Sequence, residues 1–270
     1  MLKHRLIFGA LMTVAFVGVV LLDPDVPRLL VVLVAVLMVP GSFELSKLAA
    51  AKGARILLPV SIPTSILLAT NWYWLSFLTI RPALAISLLL AFTVMVCFLY
   101  QRIRFGLAGV LVNCGAACFS IVYLGVLGGF IPAVAIDFGP WQLLMLVFVV
   151  KCSDIGAYTA GCLFGEHKFS PVISPKKTWE GLLGAIVLAV VVAVAFAVFC
   201  DIMTWWLGIL FGIGFAFMGQ MGDLAESMIK RDAEAKDASN NVPGFGGILD
   251  VVDSILVTAP LGYLFFALCS

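Results

Sequence analysis

Long apolar runs alternate with short polar breaks along the whole chain, at about 6–22, 29–43, 56–78, 83–99, 107–129, 141–160, 182–200, 203–220 and 252–269. Most approach the ~20 residues that a helix needs to cross a bilayer, with ~17 as the short limit. The pattern predicts an all-α polytopic membrane protein of about nine transmembrane helices. The second run is the weak member: it is short and interrupted by Pro40-Gly41, so it reads as a tilted or re-entrant segment. The breaks at Asp23-Pro24-Asp25, Arg81-Pro82, Gly128-Gly129 and Gly139-Pro140 carry turn chemistry. Because such runs recur along the chain, the first reads as a span, not as a signal peptide ahead of a soluble body.

Composition agrees. Of 270 residues, 63% are apolar and 11% charged, where soluble domains run near half apolar and about a quarter charged. Sixteen Lys and Arg against fifteen Asp and Glu leave a net charge of +1, too little basic field for a nucleic-acid partner. Two His and no Cys-x-x-Cys pair exclude the usual zinc modules. The seven Cys lie mostly inside apolar runs, where a thiol behaves as a small hydrophobe, and no disulfide framework is expected.

Positive charge predicts orientation. With the N-terminus inside and nine crossings, the inside receives Lys3, Arg5, Lys47, Lys52, Arg55, Arg102, Arg104, Lys168, Lys176, Lys177, Lys230, Arg231 and Lys236. The outside receives Arg28 and Arg81, and Lys151 falls within a helix. The expected topology is N-in, C-out, with Trp72, Trp74, Trp141, Trp205 and Trp206 near the outer helix ends. Residues 1–140 read as generic transmembrane helices, for scaffolding or dimerisation, without a spaced polar constellation. Residues 141–270 read as a catalytic transmembrane region with cytoplasmic loops 161–181 and 221–250. Asp201 aside, ten acidic residues follow Lys151, all at or near the inner face on this topology: Asp154, Glu166, Glu180, Asp223, Glu226, Asp232, Glu234, Asp237, Asp250 and Asp253.

Two clusters carry candidate chemistry. In the first, Lys151, Asp154 and Tyr158 share a helix face at i, i+3 and i+7. An intramembrane carboxylate faces a partner or a wet cavity, so the Lys151–Asp154 pair either holds the bundle together or serves a site. Downstream, Ser174-Pro175-Lys176-Lys177-Thr178-Trp179-Glu180-Gly181 sets two cations before a helix start, a setting for anions or simply an inside-positive anchor. In the second cluster Asp223, Glu226, Ser227 and Lys230 form a stripe at i, i+3, i+4 and i+7, followed by Arg231, Lys236 and Asp237. Pro243-Gly244-Phe245-Gly246-Gly247 is too glycine-rich for helix, and Asp250, Asp253 and Ser254 open the last span. A carboxylate in a first helical turn suits the macrodipole, and the preceding glycines let backbone N–H groups approach a ligand.

Asp223 and Asp250 sit at the inner ends of consecutive antiparallel spans, where two carboxylates repel unless a cation lies between them. Oxygen donors with few Cys or His favour Mg2+. A carboxylate-held metal beside Lys230, Arg231 and Lys236 is the layout for phosphoryl or nucleotidyl transfer. The same charges could instead pair with one another.

The run Ser227-x-x-Lys230-Arg231 through Lys236-Asp237, Pro243-Gly244-Phe245-Gly246-Gly247 and Asp250-x-x-Asp253-Ser254 resembles the signature of the CDP-diacylglycerol synthases, or phosphatidate cytidylyltransferases. Asp154-x-Gly156-Ala157-Tyr158 and Ser174 to Gly181 are similar to further landmarks of that family, so the likeness covers about residues 150–270. Phe245 and Val251 stand where the family usually has His and Arg. The resemblance implies the reaction of CTP with phosphatidate to CDP-diacylglycerol and diphosphate in phospholipid biosynthesis. It further implies Mg2+, a second monovalent cation such as K+, a homodimer, and a site facing the cytosol. Short chain and short loops point to a prokaryotic plasma membrane. On this reading Asp223 and Asp250 hold the metal, with Glu226, Asp253 and Asp154 as further candidates. Lys230, Arg231, Lys236, Ser227, Ser174, Lys176, Lys177, Gly246 and Gly247 bind nucleotide or lipid phosphate, and Tyr158 and Asp237 support the site. A transporter, or another lipid phosphotransferase, is the alternative. The first would carry repeats and midplane groups on broken helices, and the second a compact aspartate run.

Overall fold

Helix forms wherever the apolar runs predict it, because a backbone polar group in hydrocarbon must be satisfied within its own segment. The computed structural model describes residues 2–23, 27–239 and 246–269. The turn at Pro24-Asp25 and the Pro243-Gly244-Phe245 stretch lie outside the described residues. The helices are α1 (Leu2–Leu22), α2 (Arg28–Ala51), α3 (Leu58–Ala69), α4 (Asn71–Leu75), α5 (Pro82–Phe105) and α6 (Val110–Ser120). A π-helical segment, Ile121–Val126, joins α6 to α7 (Leu127–Asp137). Then follow α8 (Pro140–Phe164), α9 (Trp179–Phe199), α10 (Trp205–Asp232) and α11 (Ile248–Cys269). Seven of these segments are long and apolar enough to cross a membrane, counting Val110–Asp137 as one. The chain is an integral, polytopic membrane protein.

Three local readings change. The second run is not re-entrant: α2 continues for 24 residues straight through Pro40. Proline removes one intrahelical bond, but in a membrane helix nearby hydroxyls re-satisfy freed carbonyls, and Ser42 Oγ donates to the Met38 carbonyl at 2.8 Å. The third run is broken instead, into α3 and the short α4, with the break at Thr70. Finally, the region 161–181 is not all loop: α8 runs to Phe164, and β1 (Lys168–Ser170) pairs antiparallel with β2 (Ser174–Thr178) in a small hairpin.

The exposed apolar side chains are where lipid would meet them. Leu84, Leu88, Phe92 and Met95 form an exposed stripe down one face of α5. Inside, α8 packs on α9, α9 on α10, α10 on α11 and α11 on α7, while α3 lies against the π segment. At 28 residues α10 measures about 40 Å, longer than a hydrocarbon core of about 30 Å. Its polar stripe therefore sits on helix, not in a loop: α10 continues to Asp232. Lys52 at the end of α2 reaches Asp232 at 3.6 Å, which brings the C-terminal ends of α2 and α10 together. At the other end of the bundle Asp137 Oδ2 accepts from Trp72 Nε1 at 2.9 Å and from the Tyr263 hydroxyl at 2.7 Å.

Candidate active site

Where α10 meets α11, Gly222 lies so close to the partner helix that a Cβ on it would come within 3.1 Å of the Ser254 Cα. That approach brings the two polar stripes together. Asp223, Glu226 and Asp253 converge, each offering a carboxylate oxygen within 4.8 Å of the others. Glu226 is fully buried and Asp253 nearly so. One oxygen of Glu226, Oε1, has no hydrogen-bond partner. Three carboxylates at that spacing in a buried setting form a donor set of the kind that hard divalent cations take.

Asp250 stands outside this trio. Its Oδ1 takes the Lys230 ammonium at 2.6 Å, and its Oδ2 accepts the backbone N–H of Ala238 at 3.0 Å and of Gly247 at 2.7 Å. Lys230, expected beside a phosphate, is instead buried between Asp250 and Glu226, bonded to both. The reason is the stripe itself. Lys230 lies one turn beyond Glu226 on α10, and the first turn of α11 delivers Asp250 to the same spot. Gly246, at φ +102°, makes the turn into α11 in a region that side chains rarely adopt.

Asp223 and Asp253, though not the buried Glu226, border a cleft of about 380 Å3 lined by residues of α8, the β1–β2 hairpin, α9, α10 and α11. Asp154, Tyr158, Lys151, Lys176, Lys177, Asp223, Asp250 and Asp253 all border it. Lys177 Nζ contacts Asp223 Oδ2 at 2.6 Å and donates to the Gln220 carbonyl at 3.1 Å. The Gln220 side chain donates to Asp154 Oδ1 at 3.1 Å. Lys151 lies 3.8 Å from Asp154 and donates to Ser254 Oγ at 2.9 Å, so the intramembrane pair is part of the cleft wall and tied to α11. Thr178 caps α9 by accepting the Gly181 N–H at 3.1 Å. The hairpin is held by Glu180, whose carboxylate accepts from the His167 N–H and contacts its Nδ1 at 2.6 Å.

Other residues named from the sequence do not border the cleft. Ser174 begins β2, and Ser227 sits half-buried on α10. Arg231 donates to the Ile173 carbonyl at 3.4 Å and the Ala235 carbonyl at 3.3 Å, fastening the hairpin turn to the end of α10. Lys236 and Asp237 are exposed beyond that end. Gly247 packs against Glu44.

Glu44 is a residue that sequence reasoning passed over, in a region read as generic. It is 1% exposed, on α2. Its carboxylate accepts the N–H of Ile248 at 3.1 Å and of Leu249 at 2.8 Å, together with the Ser239 hydroxyl at 2.6 Å. A negative charge thus sits at the free N–H groups that open α11. The available signal was the one carboxylate in a mostly apolar helix. Gln220 was also missed; it has no charge to announce it.

Against known proteins, a family model described as the Cytidylyltransferase family matches residues 3–269. The chain is similar to the phosphatidate cytidylyltransferase of Staphylococcus haemolyticus, 35% identical over 190 residues, covering 70% of this chain and 69% of that protein. It is also similar to the phosphatidate cytidylyltransferases of Mycobacterium bovis and Mycobacterium tuberculosis H37Rv, each 40% identical over 128 residues. Those two matches cover 47% of this chain but 42% and 39% of the relatives' own length. The match to the family runs through every helix from α2 onward and through both polar stripes, and on that extent the chain belongs to the cytidylyltransferase family.

Proposed function

We propose that this protein is a phosphatidate cytidylyltransferase, forming CDP-diacylglycerol and diphosphate from CTP and phosphatidate at a membrane surface. The observation that carries the reading is the cleft bordered by Asp223, Asp253 and Lys177, with Glu226 buried beside the two aspartates and Lys177 paired with Asp223. Phosphatidate already bears an anionic phosphate, so no side-chain nucleophile is needed. Its oxygen attacks the α-phosphorus of CTP, the bond from that phosphorus to the bridging oxygen breaks, and diphosphate leaves. What the protein must supply is positioning and offset of negative charge.

Asp223, Glu226 and Asp253 would hold Mg2+, which when bound offsets repulsion between two anionic substrates and the charge that develops on the leaving group. Lys176 and Lys177, on β2 at the cleft rim, would take substrate phosphates; in this structure Lys177 pairs with Asp223. Lys151 sits deeper, on α8, and neutralises Asp154. Lys230, Arg231 and Asp250 are assigned to holding the α10–α11 connection and the hairpin. The N-in, C-out topology with nine crossings and a cytoplasmic cleft is the reading favoured by the charge distribution. The homodimer, the monovalent cation such as K+ and the plasma-membrane location rest on the family resemblance.

The test is incubation of the purified full chain in detergent with radiolabelled CTP, phosphatidate micelles and Mg2+, with and without chelator. The expected result is lipid-extractable cytidylate that disappears with chelator, and a fall of ~100-fold or more in the Asp223→Asn protein, since each ~1.4 kcal/mol of lost transition-state stabilisation is a factor of ten. Unlabelled lipid, or labelling indifferent to chelator, refutes the reading.

A further inference from the structure

Lys151 stands near the middle of the 25-residue α8, about 20 Å along the axis from its end at Phe164. An ammonium so far into an apolar span is costly and faces a partner or a wet cavity. Here it faces both: it borders the cleft, and it donates to Ser254 Oγ on α11 at 2.9 Å. The Ser254 N–H in turn donates to Asp253 Oδ1 at 2.6 Å, so one residue links the ammonium to the acidic trio.

The cations near the acidic residues are not equally engaged. Lys177 and Lys230 each contact an aspartate at 2.6 Å, as hydrogen-bonded ion pairs. Lys151 stays 3.8 Å from Asp154 Oδ2, beyond hydrogen-bond reach. Asp154 Oδ1 is already taken by the Gln220 amide. An ammonium carries three N–H donors, and Ser254 takes one of them. The α8 wall of the cleft thus holds a cation that offsets Asp154 through space and still has donors to give. Ala157, Tyr158, Phe169 and Leu182 add an apolar border to the same cleft.

We propose that Lys151 binds the phosphate of the lipid substrate, leaving Lys176 and Lys177 to the phosphates of the nucleotide. The proposal rests on the phosphatidate cytidylyltransferase reading above. The two substrates bring their anions from different sides. CTP arrives from water, and Lys176 and Lys177 lie on the β1–β2 hairpin, beyond the end of α8. Phosphatidate keeps its acyl chains in hydrocarbon, so a cation set within a span suits its phosphate, and the apolar border suits the glycerol and ester carbons next to it. The phosphate accepts the remaining N–H groups as charge-assisted hydrogen bonds. Lys151 keeps its proton throughout and forms no covalent bond. It holds oxygens that do not attack and leaves one free for the α-phosphorus of CTP.

The experiment is a pair of initial-rate series on the full chain in mixed micelles with Mg2+, for the wild type, Lys151→Met and the double variant Lys151→Met/Asp154→Asn. One series varies the mole fraction of phosphatidate at saturating CTP, and the other varies CTP at saturating phosphatidate. The expected result is a KM for phosphatidate raised ~10-fold or more in both variants, the scale of one lost charge-assisted hydrogen bond, with the KM for CTP unchanged. The double variant removes the carboxylate that Lys151→Met would strand, so it carries the test alone where the single variant does not fold. A wild-type KM for phosphatidate in the double variant shows that Lys151 only neutralises Asp154, and overturns the inference. A KM for CTP that rises as far as that for phosphatidate also overturns it, as does loss of turnover in the folded double variant at saturating amounts of both substrates. Each of these leaves the proposed reaction standing, because the wild type still makes CDP-diacylglycerol. No lipid-linked cytidine from the wild type overturns the reaction and this inference together.

Discussion

Glu44 and Leu249 stand 205 positions apart in the chain, yet the carboxylate of the first accepts the backbone N–H of the second at 2.8 Å. With the Ile248 N–H and the Ser239 hydroxyl on its other oxygen, Glu44 pins the start of α11 to α2. Asp250 and Asp253 are carried on that helix, so the position of the acidic trio depends on a residue far from the polar motifs.

Replacing Glu44 with Ala should lower the thermal midpoint of the detergent-purified protein. Loss of the acceptor leaves buried N–H groups unpaired, at about 1–3 kcal/mol. Differential scanning fluorimetry checks it. An unchanged midpoint would show that water replaces the carboxylate without loss.

Asp250 and Asp253 should behave differently. Asp253→Asn is expected to cut kcat by ~100-fold or more while holding the thermal midpoint, because it alters a cation ligand set that is crowded with like charge. Asp250→Asn is expected to lower the midpoint, because Asp250 satisfies two backbone donors and the Lys230 ammonium. Parallel melting curves and initial rates separate the two roles.

Lys230→Met should be among the most damaging single changes outside the trio. It strands Glu226 and Asp250 without their shared cation, and breaking a buried ion pair by removing one partner costs about 3–5 kcal/mol. The measurement is yield and thermal midpoint in detergent. A stable but inactive Lys230→Met protein would return Lys230 to the phosphate-binding role expected from the sequence.

Lys177→Gln should raise the KM for CTP and lower kcat/KM about tenfold or more, since a hydrogen bond to a charged group contributes about 1.5–3 kcal/mol. The residual activity should depend less on ionic strength, because one cation at the cleft rim is gone. Steady-state rates against CTP at two salt concentrations test both parts.

The sequence alone determined the class of fold and the location of the polar stripes. Hydrocarbon admits only self-satisfied helices, so long apolar runs dictate helix with little room for alternatives, and a period of 3.6 residues puts Asp223, Glu226 and Lys230 on one face. Spacing along one helix does not say which residue of the next helix lies opposite. Only the tertiary structure decided that the close approach at Gly222 brings Asp253 to Asp223 and Glu226, while Asp250, one turn earlier, is captured by Lys230 and two backbone N–H groups. It alone drew Glu44 to the start of α11. Glu44 is the one acidic residue of its helix, with no periodic pattern to mark it, and its backbone partners lie on a helix that only packing brings near.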